Sequence, residues 1–503
     1  MKEHSEHVES RLKKLRDLRE AGVEPFAGAF ESEDLAGALA ERHAGASAEE
    51  LSASPVRCSL AGRLVALRRF GKAAFAHLDD GTGRIQVYFK KDVLGEGYDV
   101  VNKLDMGDIV GVRGKLFRTK TGELTVEVEE LKLLTKSIRP LPEKWHGLRD
   151  VELRYRQRYL DLRVNPVVKE TFRKRSAIIS AIRGFLESRG YIEVETPMMQ
   201  RIPGGAAARP FRTHHNALDI DLYLRIAPEL YLKRLLIGGY GRIYELNRNF
   251  RNEGISTKHN PEFSMLEFYT AYKDYNYLMD LTEELITQVC EKVLGTLHLR
   301  YGNWDIDFSA PWPRVSFLDA LLDKGVPEET FADREKAVRW AEAEGIELPS
   351  GASQAKVLDE IFKDKVEPWL IQPTFITDYP VELSPLARRK PGAPGLVERF
   401  ELFVATQEIA NAFSELTDPM DQRERFLAQV EGDEEAHRMD EDFVTALEHG
   451  MPPAAGEGIG IDRLVMILTD SPSIRDVIFF PHLRPRSPGE EAPEGDEGGG
   501  QGA

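Results

Sequence analysis

Asn247-Arg248-Asn249-Phe250-Arg251-Asn252-Glu253, followed by His259-Asn260-Pro261-Glu262-Phe263, is the stretch on which the fold turns. The polar run 247–253 reads as a loop. Ser264–Thr270 reads as a strand with Met265, Glu267 and Tyr269 on one face, because side chains alternate along a strand. A strand, a polar loop and a returning strand can hold Arg251 beside a reacting centre. Its planar guanidinium can pair bidentately with phosphate or carboxylate. Phe263 offers a face on which a purine can stack. Arg-x-Glu alone also describes a hairpin whose charges are simply solvated.

Two downstream segments widen the reading. Gly456-Glu457-Gly458-Ile459-Gly460-Ile461-Asp462-Arg463 runs into the apolar Leu464–Leu468. Alternating glycines let a backbone approach a ligand closely, and Arg463 would begin the following helix. A packing role for these glycines stays open. Upstream, Glu401 and Glu408 flank a short break, and Asn411, Phe413 and Glu415 share a strand face. Carboxylates in an apolar sheet are costly unless paired or metal-bound. Two glutamates without Cys or His suit Mg²⁺, which favours oxygen ligands. Two solvated surface carboxylates are the plainer alternative.

Together these segments resemble the signature motifs of the class II aminoacyl-tRNA synthetases. The helix ending at Gly190 with Tyr191-Ile-Glu-Val-Glu-Thr-Pro197 resembles motif 1. Phe250-Arg251-x-Glu253 with His259 and Phe263 resembles motif 2, and Gly-x-Gly-x-Gly-x-x-Arg463 resembles motif 3. Within the class, the lysyl-tRNA synthetases are most similar. The resemblance rests on Ile202-Pro-Gly-Gly-Ala-Ala-Ala-Arg-Pro-Phe211, Arg225-Ile-Ala-Pro-Glu229-Leu-Tyr-Leu-Lys, Asn249–Phe263 and Glu408–Glu415. It covers about residues 56–485. Ala405-Thr406-Gln407 departs from it, where many members carry a basic residue.

The resemblance implies an α+β chain: an N-terminal OB-fold barrel, then a catalytic domain with an antiparallel sheet flanked by helices. It implies ATP-dependent activation of L-lysine and transfer to the 3′-terminal adenosine of tRNA(Lys). Arg251 and Arg463 would be catalytic. Glu229 would hold the α-ammonium. Glu415 and Tyr269 would hold the ε-ammonium, with Glu267 nearby and Phe413 along the stem. Asn411 and Arg251 would hold the carboxylate, and Gly205 and Gly460 would admit the ligand. ATP would meet Arg251, Glu253, His259, Asn260, Phe263 and Arg463, with Glu401 and Glu408 holding Mg²⁺. Motif 1 implies a homodimer. One alternative is a paralogue that lysylates a protein acceptor; such paralogues commonly lack the barrel.

The barrel is legible from Val56 onward. Ser59–Leu67, Ala74–Leu78, Arg84–Tyr88, Ile109–Leu116 and Leu124–Leu133 are short alternating runs separated by Gly/Asp-rich turns. By resemblance this is the anticodon-binding domain. Phe75 would stack an unpaired base, and Arg68 and Gln86 would read its edges. A core role for Phe75, and solvated roles for Arg68 and Gln86, are the alternatives. The expected segments are a helical extension at 1–55, the barrel at 56–150 and the catalytic domain at 151–486. An acidic helical insertion occupies about 318–367 of the catalytic domain. Pro140 and Pro142 would begin a linker, and 487–503 reads as a disordered acidic tail.

Composition sets the outer limits. Of 503 residues, 67 are Lys or Arg and 84 Asp or Glu, a net charge of −17. That average opposes nucleic acid, yet residues 56–150 hold 18 basic against 13 acidic side chains, a local +5. The acidity gathers at 320–370, 421–448 and 487–503. Two cysteines exclude a disulfide scaffold. Neither a signal peptide nor an apolar span is visible, so the expected protein is cytoplasmic, without membrane contact.

Overall fold

The computed structural model describes residues 6–141, 148, 150–206, 208–432 and 439–485. The chain divides into two units, Met1–Gly147 and Leu148–Ala503. The linker start at Pro142 and the tail at 487–503 lie outside the described residues.

In the first unit, helices α1 (Glu6–Glu20), α2 (Ala36–Arg42) and α3 (Ala48–Ala53) precede a barrel. Ser47 caps α3 by accepting from the Glu50 N–H, and the Glu50 side chain returns to the Ser47 N–H. The strands are β1 (Arg57–Phe70), β2 (Ala73–Asp79), β3 (Arg84–Lys90), β4 (Ile109–Arg118) and β5 (Leu124–Thr135). They close in the order β1-β2-β3-β5-β4, with β3 and β5 parallel. Period-two alternation produces the closure. Ala74, Ala76 and Leu78 of β2, and Ile85, Val87 and Phe89 of β3, are buried inside.

In the second unit, α4 (Pro166–Ser188) packs on a later helix, Tyr275–Leu294, through a stripe that includes Ile178, Ile182, Phe185 and Leu186. The strands of the large sheet are β6 (Ile192–Glu193), β7 (Arg242–Phe250), β8 (Glu262–Ala271), β9 (Arg314–Ser316), β10 (Thr374–Thr377), β11 (Arg399–Val404), β12 (Gln407–Ser414) and β13 (Ala454–Gly460). Their spatial order is β9-β10-β11-β12-β13-β8-β7-β6. The six central strands are antiparallel, but β6/β7 and β9/β10 pair in parallel. The sheet is therefore mixed, not wholly antiparallel.

Asn247–Phe250, read from sequence as loop, belongs to β7. Asn247 pairs with Met265 and Asn249 with Phe263. Both asparagines are buried; ladder pairing outweighs their low strand propensity. The loop begins only after Phe250.

Helices Phe317–Asp323, Arg334–Ala343 and Gln354–Lys365 form the acidic insertion. Phe317, Val357, Ile361 and Phe362 pack on Ile376, Tyr379 and Phe403, so the insertion has its own core against the sheet. β11 and β12 meet at Ala405-Thr406, both with positive φ (50° and 60°). Neither residue favours that region. Their N–H groups donate to the Ile371 and Leu370 carbonyls, which holds the turn.

Candidate active site

The face of the sheet formed by β7, β8, β11, β12 and β13 opens into a cavity of about 750 Å³. Gly205, Glu229, Arg251, Glu253, His259, Asn260, Phe263, Glu267, Tyr269, Glu401, Glu408, Asn411, Phe413, Gly460 and Arg463 all line it. Residues up to 258 positions apart in sequence thus converge on one site.

Arg251 leaves β7 where the loop begins, and its N–H donates to the Pro261 carbonyl at 2.9 Å. The loop's two ends are thereby pinned across the hairpin. The guanidinium lies 5.0 Å from the centre of the Phe263 ring, and its buried Nε has no hydrogen-bond partner. Burial lowers its affinity for its proton, opposed by the charges of Glu408, Glu253 and Glu267. Arg463 stands in the first turn of helix Ile461–Leu468. It donates to the Glu408 carbonyl at 2.7 Å and to His259 Nε2 at 3.3 Å. Burial and the Arg463 charge hold His259 below the usual imidazole range, so the ring is neutral near pH 7. With Nε2 accepting, Nδ1 carries the proton toward Ser256 Oγ, 3.0 Å away. Asn260 is a brace as well as a wall: it donates to the Glu262 carbonyl and accepts from the His482 N–H.

The acidic end is built around Glu229, Glu267 and Glu415. Glu229 begins helix α5 (Glu229–Ile237). Gly205 packs on it with φ +86°, where an added Cβ would come within 2.9 Å of Glu229 Cβ. Tyr269 donates to Glu267 Oε2 at 3.2 Å. Burial, then the Glu229 charge, pushes the Glu267 carboxyl well up. Glu415 does not itself line the cavity, but Gly456 does. A Cβ on Gly456 would collide with the Tyr269 ring and with Glu415 Oε1. Oε1 is buried without a hydrogen-bond partner, and burial pushes the Glu415 carboxyl up to about 8. Gly458 similarly spares a collision with Met265, whereas a Cβ on Gly460 would meet only ordinary contacts. Two of the three glycines are therefore required by the protein's own side chains. Gly456→Ala is expected to cost about 1–3 kcal/mol by overpacking. Thermal unfolding measures this; an unchanged midpoint would refute the close packing of Gly456 on Tyr269 and Glu415.

Glu401 and Glu408 point into the cavity from either side of the Ala405-Thr406 turn. Burial, with the Glu408 charge adding, pushes the Glu401 carboxyl up to about 7, against the pull of Arg399. Tyr379 donates to Glu401 at 2.8 Å. No group of three or more His, Cys, Asp or Glu side chains placed to hold a metal ion exists among the described residues. A divalent ion at this pair must therefore take its other ligands from phosphate and water.

Several residues here escaped the sequence reading. Arg399 binds Glu401 and donates to Asn411 Oδ1 at 2.9 Å, joining these two cavity-lining side chains. Lys233 bridges Glu229 and Glu415. Asp462 accepts from Arg175 and from the Ser264 N–H, both at 2.6 Å, tying α4 to β8. Helical spacing alone suggests the Glu229–Lys233 pair, but the Lys233–Glu415, Arg399–Asn411 and Arg175–Asp462 contacts join separate elements and leave no trace in local spacing.

On the barrel, Phe75 of β2 pairs with Arg68 on one side and Tyr88 on the other. It is half-buried, stacked on Tyr88 at 4.5 Å, beside the 62 % exposed Phe70. Phe75 therefore belongs to a surface aromatic cluster and not to the interior core. Arg68 is exposed. Gln86 donates to Glu123 at 2.7 Å and accepts from Thr125 at 2.8 Å. His77 also reaches Glu123, at 2.8 Å. Glu123, unremarked in sequence, thus completes a polar group beside the rings.

Comparison with known proteins agrees with this geometry. The family described as tRNA synthetases class II (D, K and N) matches residues 150–484. The OB-fold nucleic acid binding domain matches residues 58–134. The lysine–tRNA ligase of Moorella thermoacetica is 59% identical over 482 residues, covering 95% of this chain and 97% of that protein. That of Pelotomaculum thermopropionicum is 57% identical over 490 residues, 96% of each. That of Bacillus subtilis is 50% identical over 490 residues, 96% of this chain and 98% of that one. With the motifs gathered round one cavity and such relatives along nearly its whole length, the chain belongs to the lysine–tRNA ligases of the class II tRNA synthetase family.

Proposed function

We propose that the chain activates L-lysine with ATP and passes the lysyl group to the 3′-terminal adenosine of tRNA(Lys), releasing AMP and pyrophosphate. The observation that carries this reading is the pairing, in one cavity, of an acidic end with an Arg251/Arg463 end. Lysine carries two ammonium groups and one carboxylate, and that charge pattern fits those two ends. Glu229 takes the α-ammonium. Glu415, with Tyr269 and Glu267, takes the ε-ammonium, and Phe413 packs on the stem. Buried carboxylates reject uncharged isosteres because an unmatched buried charge is costly.

Adenine stacks on Phe263 with Arg463 on its other side. Glu253 and the remaining N–H of Asn260 contact the base or neighbouring groups, and His259 meets the outer phosphates. Arg251 and Asn411 hold the lysine carboxylate, which attacks the α-phosphate in line. The nucleophile is already ionised, so no general base is needed. Arg251 orients it and stabilises charge on the phosphoryl oxygens. Glu401 and Glu408 would hold Mg²⁺, which when bound neutralises phosphate charge. In the second step the terminal ribose hydroxyl attacks the adenylate carbonyl and AMP leaves.

Residues 56–150 are proposed to read the anticodon and residues 151–486 to carry the chemistry. Phe75→Ala is expected to slow tRNA charging about tenfold, one lost base stack, and to leave ATP–pyrophosphate exchange unchanged. A parallel fall in exchange would make Phe75 structural. A homodimer is proposed, supported by exposed Ile192, Met198 and Met199 beside motif 1. A cytoplasmic location is also proposed; among the described residues no helix is long and apolar enough to cross a membrane. The deciding experiment is pyrophosphate exchange across the twenty amino acids, followed by charging of tRNA(Lys). Activation of another amino acid would overturn the reading, and lysylation of a protein without tRNA charging would favour the paralogue alternative.

A further inference from the structure

One buried charge has no part in the mechanism above. Lys233 follows Glu229 by one helical turn on α5, and its side chain is 1% exposed. Its Nζ lies 2.7 Å from Glu229 Oε1 and 2.5 Å from Glu415 Oε2. It also lies 5.2 Å from the centre of the Phe413 ring. A single ammonium therefore joins the two carboxylates proposed for the two ends of lysine, and rests on the ring proposed for its stem. Burial of an ammonium opposes charge, but the two carboxylates outweigh it and keep Lys233 protonated.

We propose that Lys233 is a specificity-determining positioning residue. Its ammonium fixes the separation of the Glu229 and Glu415 carboxylates and cancels one of the pocket's carboxylate charges. The pocket is thereby matched by a ligand bearing two cationic groups at the spacing found in lysine. This inference rests on the lysine-binding reading of the pocket.

The charged and titratable neighbours are few. Glu229 shares the helix. Glu267 and Tyr269 face the same pocket from β8, and Glu415 follows β12. Glu245 and Arg251 act on Glu267. The helix Glu441–Glu448 also packs on α5, but its acids are engaged elsewhere. Asp440 and Asp442 pair with Arg234, and Glu441 and Glu448 with Arg423. Lys233 is thus the one cation bonded to Glu415 among the described residues. Two carboxylates sharing one ammonium leave a net negative charge, which a cationic ligand would complete. The orphaned Glu415 Oε1 marks where that charge is unmet.

The test is lysine-dependent ATP–pyrophosphate exchange against pH, with wild type, Lys233→Met and Lys233→Arg of the full chain, and ornithine as competitor. Lys233→Met is expected to raise the lysine KM at least tenfold and leave the ATP KM within twofold. The pH at which the lysine KM inflects should move up by one unit or more, because Glu415 loses its cation. Discrimination against ornithine should also fall. Lys233→Arg should return the inflection to its wild-type position, because the charge is restored. Its lysine KM should stay raised severalfold, because a planar guanidinium cannot occupy the bridging point of an ammonium. A merely structural lysine would lower thermal stability and leave the inflection in place; that result overturns the proposal. If Lys233→Met does not fold, Lys233→Gln takes its place: an inflection moved up by one unit or more supports the proposal, and an unmoved one overturns it. A wild-type protein that fails to activate lysine would refute the functional reading itself, a result distinct from either.

Discussion

Arg251→Gln is expected to lower lysine-dependent ATP–pyrophosphate exchange by about 10³-fold, the scale on which an arginine stabilises a phosphoryl-transfer transition state. The expectation follows from the two jobs its position imposes. The loop ends are pinned by the bond from its N–H to Pro261, and the guanidinium is set against Phe263. Glu408, Glu253 and Glu267 surround it with negative charge, while its Nε waits for an acceptor. Gln keeps a donor but loses both the charge and the bidentate fork. The loss should fall mainly on kcat, because charge on the phosphoryl oxygens grows toward the transition state. Arg251→Lys should recover little of the rate, since an ammonium cannot bridge carboxylate and phosphate together. Exchange within tenfold of wild type in the Gln variant would remove Arg251 from the reacting centre.

Glu415→Gln should raise the lysine KM by about 10²-fold, corresponding to roughly 2–5 kcal/mol for removing one partner of a buried charge pair. The ATP KM should change less than twofold. Gln preserves the shape, so the change isolates the charge. Glu415 stands on the Tyr269 and Gly456 side of the cavity, away from the Glu401/Glu408 pair. The wild-type pH dependence provides a second check. Burial pushes the Glu415 carboxyl up to about 8, and the proposed ε-ammonium contact needs the ionised form. The group is raised, so the lysine KM should rise as pH falls below about 8. That dependence should flatten in the Gln variant. Equal losses for lysine and ATP would sink the assignment of Glu415 to the ε-ammonium.

The Lys233 test and the Glu415 test bear on each other. Glu415→Gln leaves Lys233 paired with Glu229 alone, so some of its effect passes through Glu229. Substitutions in one charge network are not additive. A double variant would therefore report the coupling between the two proposed ammonium sites, and not the sum of two losses.

Some of the site was open to reading along the chain, and some was not. The barrel strands were visible because burial of one face imposes period two on residues such as Ala74, Ala76 and Leu78. Arg251, Phe263, Glu401, Glu408 and Arg463 were visible because motif chemistry is local in sequence. Asn247–Phe250 misled, since polar residues in a central strand are justified only by pairing with Met265 and Phe263 across the hairpin. The glycines of β13 were legible as a close approach. That they make room for Tyr269, Glu415 and Met265 depends on strands far away in the chain.

The sequence by itself determined which chemical groups this protein owns, where the strands alternate and which family it joins. It also separated a basic barrel from acidic segments, which the net charge of −17 concealed. Only the tertiary structure decided which charges neutralise one another. Lys233 with Glu415, Arg399 with Asn411, and Arg175 with Asp462 meet through folding. The physical reason is that a buried charge is tolerable only beside its counter-charge. Local periodicity places a side chain on a face, but the counter-charge comes from whichever element the sheet order brings alongside.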